Sequence, residues 1–316
     1  MPKMRKKLKY ALQNGEYAGK MPSMISRVLE VPQASFFLLG PRGTGKSTWM
    51  AEHFRGAKTY DLLDQSEFLR LERDPHQLGR ELELLERGSW VVIDEVQKVP
   101  ALLDEVHRLI EKRGLRFVLC GSSARKLKRS GANLLGGRAS VLRMPPLLSV
   151  ELSAAFDAER AMLLGTLPKA VLGDDAKRFL LAYAALYLQE EIRAEALTRN
   201  VGAFSRFLEV AARQNGQVTN VSNIARDAGV GRTTVQNYFG ILEDTLLGHW
   251  LQPWKLKPGN KQVAHPKFYL FDSGVARALS GRLPYVPTAE ECGPLLETLV
   301  GNEIRAYLER YHPGRK

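Results

Sequence analysis

Ser35-Phe36-Phe37-Leu38-Leu39-Gly40-Pro41-Arg42-Gly43-Thr44-Gly45-Lys46-Ser47-Thr48 is the stretch on which the fold turns. Four large apolar residues read as a buried strand. The glycine-rich turn after them matches G-x-x-x-x-G-K-[ST], and the spacing predicts a helix over Ser47–His53. Glycines let backbone N–H groups turn inward around phosphate oxygens, and a helix N-terminus adds partial positive charge. In this reading Gly40, Pro41, Arg42, Gly43, Thr44, Gly45, Lys46, Ser47 and Thr48 cradle a nucleotide. Lys46 reaches the β- and γ-phosphates, and the Ser47 hydroxyl holds Mg²⁺.

Trp90-Val91-Val92-Ile93-Asp94-Glu95 is the matching half. Ligands bind at the C-terminal ends of parallel strands, which is where the two acids stand. Asp94 is assigned to Mg²⁺ through water, and Glu95 to orienting and deprotonating an attacking water. A phosphotransferase does not need the second acid, so the pair points to hydrolysis. No Asn/Thr-Lys-x-Asp guanine-reading motif is present, which favours ATP. Phe117–Cys120 is a further strand, followed by Gly121-Ser122-Ser123. Ser122 and Ser123 are candidates to hold the lytic water near the γ-phosphate, although a polar strand-end turn explains them equally well. Arg125 and Arg138 are chosen to stabilise transition-state charge, in cis or from a neighbouring subunit, with Arg42 and Arg143 behind them, although a surface or DNA-facing charge explains each at least as well.

Around these motifs the pattern alternates. Short apolar runs at Phe36–Leu39, Tyr60–Leu63, Trp90–Ile93, Phe117–Cys120 and Ser140–Met144 are separated by helical stretches such as Leu102–Lys112. Strand–helix alternation predicts an α/β domain, a parallel sheet with helices on both faces. The Tyr60–Leu63 strand separates the two motifs in sequence, as in ATPases with a catalytic glutamate. Met144-Pro145-Pro146 closes this region. Residues 149–245 then read as helical, with breaks near Gly165–Pro168, Gly173–Asp175 and Gln214–Val218. A short β-rich piece and a final helix over Pro294–Arg310 follow.

The 316 residues carry 46 Lys and Arg against 34 Asp and Glu, a net charge of +12. That excess favours polyanionic partners, and it is clustered. Arg125–Arg143 and Thr245–Phe271 contain no acid. No apolar run approaches the roughly 18 residues that span a membrane, and the basic N-terminus is not followed by the apolar segment of a secretory signal. With 2 cysteines far apart, a disulfide framework is excluded and a reducing cytoplasm is expected. The 6 histidines are scattered, and none pairs with cysteine at zinc-ligand spacing.

Asn220–Asp244 holds a second pattern. Ala225, Gly229 and Val235 have helix-turn-helix spacing, with Ser222 or Asn220 as cap. Val235, Tyr238, Ile241 and Leu242 face inward on the second helix. Arg232, Thr233, Thr234, Gln236 and Asn237 lie on its outer N-terminal face, suited to phosphates and base edges in a major groove. Trp250–Phe271 reads as a two-stranded wing tipped by Lys255, Lys257 and Lys261. The whole is a winged helix, a module that either contacts DNA or docks protein. The predicted organisation is a basic arm over 1–24, a P-loop ATPase core over 25–148, a helical linker or lid over 149–200, and a winged helix over 201–290. A C-terminal helix over 291–316 marks where a further domain could begin.

Taken together, these residues resemble the bacterial and archaeal AAA-type ATPases that carry a C-terminal domain of unknown function. The resemblance covers nearly all of 25–305. It rests on the phosphate loop through Thr48, Asp94-Glu95-Val96-Gln97-Lys98-Val99-Pro100, Gly121-Ser122-Ser123-Ala124-Arg125-Lys126-Leu127 and Gly136-Gly137-Arg138-Ala139. Tyr187-Leu188-Gln189-Glu190-Glu191-Ile192, Asn223-Ile224-Ala225-Arg226-Asp227 and Phe271-Asp272-Ser273-Gly274 extend it. It implies an ATP-binding, ATP-hydrolysing core joined to a winged helix. Many members continue past the Gly301–Ile304 helix into a nuclease-like fold. This chain reaches Lys316 before any such strand, so a short or truncated member is expected and nuclease activity is not carried over. The leading functional expectation is a Mg²⁺-dependent ATPase that engages DNA. The alternative is a regulatory switch that binds ATP with little turnover and docks a protein partner, in a homo-oligomer or a heterologous complex. A small-molecule phosphotransferase is disfavoured by Glu95.

Overall fold

The computed structural model describes residues 24–123, 134–187, 200–253 and 265–312. The described residues form two compact units, one over Arg27–Met144 and the other from Pro145 onward together with Met24–Ser26.

The first unit contains β1 (Phe36–Leu39), α1 (Lys46–His53), β2 (Lys58–Asp61), α2 (Gln65–Arg73), α3 (Gln77–Glu81), β3 (Trp90–Asp94), α4 (Leu102–Arg113), β4 (Arg116–Gly121) and β5 (Ser140–Arg143). The strands form a parallel sheet in the order β2-β3-β4-β1-β5. β1 and β4 are apolar on consecutive residues because both faces are covered; Phe36 through Leu39 and Phe117 through Cys120 are all buried. Phe36, Trp49, Phe54 and Trp90 pack edge to face on one side, with ring centroids 5.0 to 6.2 Å apart. α4 buries Leu102, Leu103, Val106 and Leu109 and stops at Gly114, whose left-handed backbone (φ 64°) suits a residue without a side chain.

One expectation shifts here. β2 runs over Lys58–Asp61, two residues before the apolar run that suggested it. The Asp61 carboxylate accepts the Leu63 N–H at 2.9 Å and turns the chain, so Leu62 and Leu63 belong to the exit from the strand. In space, β2 is an edge strand; it is β4 that lies between the phosphate-loop strand and the Asp94–Glu95 strand.

The second unit contains α5 (Ser149–Leu152), α6 (Ala158–Leu164), α7 (Pro168–Leu172), α8 (Ala176–Ala182), α9 (Val201–Arg213), α10 (Val221–Ala228), α11 (Arg232–Asp244), β6 (Gly248–Leu251), β7 (Lys267–Leu270), α12 (Ser273–Leu279) and α13 (Ala289–Tyr311). Leu163 and Leu164 of α6, Phe204 and Phe207 of α9, Val275 of α12 and Leu295 and Leu299 of α13 share one core. α6 and α12 meet at backbone distance: a Cβ on Gly274 would lie 2.3 Å from the Leu164 carbonyl. The buried Asp272 carboxylate fixes this joint by accepting the N–H groups of Thr166 at 2.8 Å and Val275 at 2.9 Å. α13 begins at Ala289, earlier than the expected Pro294, because Thr288 caps it and the helix carries Pro294 in its interior.

Asn220 caps α10 by accepting from Ser222 and Asn223. Gly229, with φ 64°, ends α10, and α11 starts two residues after Gly229–Val230. Val235, Tyr238, Ile241 and Leu242 are buried as expected, together with Phe239, which the sequence reading omitted. β6 and β7 form an antiparallel pair, and Val218 adds an isolated bridge to Lys267.

Candidate nucleotide site

All parts of this site lie in the first unit. The loop leaves β1 at Gly40, where a Cβ would sit 2.4 Å from the Met144 carbonyl oxygen; only glycine passes. Gly43 (φ 81°) and Gly45 (φ 95°) reverse the chain with left-handed backbone that other residues rarely adopt. Side chains claim the loop's carbonyls. Arg27 donates to Thr44 O at 2.7 Å, Thr44 Oγ1 to Pro41 O at 2.9 Å, and Lys46 Nζ to Gly40 O at 2.6 Å and Pro41 O at 3.1 Å. Lys46 is only 7% exposed, so its ammonium is already drawn into the loop.

Ser47 Oγ donates to Asp94 Oδ2 at 3.0 Å, across 47 residues of sequence. This contact brings the two expected Mg²⁺ ligands together. Mg²⁺ is usually held by one or two protein oxygens, with phosphate oxygens and water completing the shell, and a hydroxyl beside a carboxylate fits that chemistry. Asp94 Oδ1 accepts the Glu95 N–H at 3.0 Å. Glu95 itself has left-handed backbone, φ 55°, unusual for a residue with a side chain. Burial raises its carboxyl above the ordinary glutamate range; Lys46 opposes that shift and Asp94 adds to it.

The strand order determines what stands between these groups. β4 runs between β1 and β3, so its polar end sits between the phosphate loop and the two acids. Ser122 follows the end of β4 and meets Gln97, while Ser123 is buried. Gln97 was not among the expected site residues. Its amide nitrogen donates to Glu95 Oε2 and reaches Ser122 Oγ at 3.4 Å. Its place in the Asp94–Pro100 string that carries the resemblance was a signal, but that string gave it no role.

The arginines separate. Arg138 stands just before β5, whose first residue Ser140 is in register with Phe36 at the opposite end of the sheet from the loop. It pairs with Glu111 at the end of α4, so this structure does not bring it to the site. Arg143, the lesser candidate, is in register with Leu39 beside the loop. Arg42 is exposed on the loop, and its charge acts on Glu95. Arg125 lies outside the described residues. In the second unit, Arg232, Thr233, Gln236 and Asn237 are exposed on α11 and Thr234 is half-buried. Lys255, Lys257 and Lys261 lie outside the described residues.

A β-strand, a phosphate loop, a capping helix and a paired-acid strand separated by an inserted strand define a P-loop ATPase fold. Comparison with known proteins gives the same class: residues 33–153 match the family described as AAA domain. Residues 155–285 match a domain of unknown function. Two curated relatives are the uncharacterized proteins Mb2031c of Mycobacterium bovis and Rv2008c of Mycobacterium tuberculosis. Each is 26% identical over 251 residues, which is 77% of this chain and 55% of the relative. The chain therefore spans about half the length of the curated relatives it matches. Among solved structures, the Aeropyrum pernix ORC1 protein in complex with DNA aligns over 89% of this chain and 91% of its own, at 14% identity and TM-score 0.26. A Pyrococcus horikoshii signal-transduction ATPase with numerous domains aligns over 89% of this chain and 46% of its own, at 16% identity and TM-score 0.25. Scores that low carry no argument. No helix among the described residues is long and apolar enough to cross a membrane.

Proposed function

We propose that the protein is a Mg²⁺-dependent ATPase whose C-terminal unit engages DNA. The observation that carries the catalytic half is the Ser47–Asp94 contact with Glu95 alongside. Mg²⁺, held by Ser47 and Asp94, would neutralise charge on the β- and γ-phosphates. Lys46 exchanges its loop carbonyls for phosphate oxygens. Glu95 orients a water and takes its proton as the water oxygen attacks the γ-phosphorus. The bond to the β–γ bridging oxygen breaks, and ADP leaves. Burial suits Glu95 to this role, because a general base works best when its pKa lies near the working pH.

DNA engagement is supported by the order α9, α10, α11, β6, β7, by the Val218 bridge, and by the polar N-terminal face of α11. This is the order of a winged helix, whose second motif helix enters the major groove. Free Cys120 and Cys292 suit a reducing cytoplasm. Turnover should be measured with and without duplex DNA, for the wild type and for Glu95→Gln. The substitution keeps the shape and removes the base, so ATP binding should persist and the rate should fall about 10²-fold or more. A Glu95→Gln protein with wild-type turnover would show that the acids are structural. ATP binding with negligible turnover, unchanged by DNA, would establish the regulatory switch instead.

A further inference from the structure

Gln97 sits in the tight turn Val96–Lys98 that follows Glu95. It is 5% exposed, a large polar side chain that is buried. Its Nε2 donates to Glu95 Oε2 and stands 3.4 Å from Ser122 Oγ. Its Oε1 is buried with no hydrogen-bond partner. A Cβ on Gly121 would lie 2.4 Å from that oxygen, so the end of β4 has room for this side chain only because residue 121 is glycine. An unpaired buried carbonyl is destabilising, a cost that an apolar side chain of the same shape would avoid. Packing alone therefore gives no reason for an amide here. Its two N–H groups do, since they face the base and the hydroxyl.

We infer that Gln97 is the positioning residue of the hydrolytic site, bracing the Glu95 carboxylate and the Ser122 hydroxyl as one unit. The inference rests on the ATPase reading above. The direction of the hydrogen bonds gives it content. Gln97 donates, so Ser122 Oγ accepts and its own proton is left to point at the γ-phosphate. On the other side Glu95 is held through Oε2, and its second oxygen is left to take a proton from water. A carboxylate at position 97 would reverse both relations: it would repel Glu95 and draw the Ser122 proton away.

The experiment compares wild type, Glu95→Gln, Gln97→Ala, Gln97→His and Gln97→Glu by kcat, KM, affinity for a fluorescent ATP analogue, retention of ADP–aluminium fluoride and melting temperature. Gln97→Ala should lower kcat about 10²-fold, the effect of misplacing a reacting group by about 1 Å, while ATP affinity stays within about twofold. It should also lose retention of ADP–aluminium fluoride, which mimics the transition state, while still binding ADP. Gln97→Glu should fall at least as far. Gln97→His, which keeps one ring N–H, should recover part of the rate. Wild-type kcat in Gln97→Ala would overturn the inference. So would a parallel loss of ATP affinity, melting temperature and kcat, the signature of a structural role. A wild type with no Glu95-dependent turnover would sink the ATPase reading and this inference with it. Turnover that is lost in Glu95→Gln but untouched in Gln97→Ala sinks the inference alone.

Discussion

Replacing Lys46 by Met keeps most of the side-chain stem and removes the ammonium. In this structure that ammonium is held by the carbonyls of Gly40 and Pro41, at 2.6 and 3.1 Å. It is preorganised in the loop, and binding ATP exchanges neutral acceptors for charged ones. A charge-assisted hydrogen bond contributes about 1.5–3 kcal/mol and is roughly twice as strong as a neutral one. Two such exchanges give a net gain of about 1.5–3 kcal/mol. Coulomb attraction between unit charges about 4 Å apart gives about 4 kcal/mol at an effective dielectric of about 20, an upper bound on the gain. Each 1.4 kcal/mol is about tenfold in affinity, so Lys46→Met should raise the dissociation constant for ATP about 10–10³-fold. The two carbonyls lose their donor at a buried site, and a buried unsatisfied acceptor costs about 1–3 kcal/mol. Folded stability should therefore fall by about 1–3 kcal/mol, several degrees in melting temperature. A titration with a fluorescent ATP analogue, run beside a thermal melt, checks both. An affinity within about threefold of wild type, less than 1 kcal/mol, with the melt unchanged, would refute the assignment of this loop to phosphate.

Three further outcomes follow from the second unit. Gly274→Ala places a methyl 2.3 Å from the Leu164 carbonyl, and backbone cannot yield there without parting α6 from α12; stability should fall by about 3 kcal/mol, and an unchanged denaturation midpoint would contradict the packing. The Asp272 carboxyl is pushed up to about 6, chiefly by burial and against the pull of four backbone N–H groups. Its unfolded value is about 3.9, so the stability it contributes is complete below about pH 4 and is lost as pH rises through about 6, on the order of 3 kcal/mol. Asp272→Asn should flatten that part of the stability–pH curve, and an identical slope in urea melts at pH 4.5 and 7 would refute it. On duplex DNA, neutralising Lys255, Lys257 and Lys261 together should flatten the log affinity–log salt slope by about two to three if each meets a phosphate. Arg232→Ala or Asn237→Ala should instead alter sequence preference by about 1–3 kcal/mol; no binding to DNA at low salt by the full chain would make the module a docking one.

What could be read from sequence was local. Gly43 and Gly45 mark a turn because their backbone is left-handed, and Asn220, Gly229 and Val235 mark two capped helices because caps and turns act on neighbours. Strand identity was legible where both faces are covered, as in Phe36–Leu39. It slipped at β2, where Leu62 and Leu63 are apolar but follow an Asp61 turn. The start of the last helix also slipped, from the expected Pro294 to Ala289. Thr288 caps the helix earlier, and the burial of Leu295, Thr298 and Leu299 holds the proline in place within it.

The site was legible as a set of residues but not as an arrangement, because strand order is not written in chain order. Placing β4 between β1 and β3 brings Ser122 into the gap between the loop and the acids. The same order leaves Arg138 at the far end of the sheet and sets Arg143 at the near end. A basic residue's spacing from a motif therefore says little about whether it reaches phosphate; its position along a parallel strand says more. Gln97 makes the same point at shorter range. Its link to Glu95 spans two residues, but its meaning depends on Ser122 and Gly121, which arrive from a different strand. An amide, a hydroxyl and a missing side chain have no common pattern in the sequence, and only the sheet brings them together.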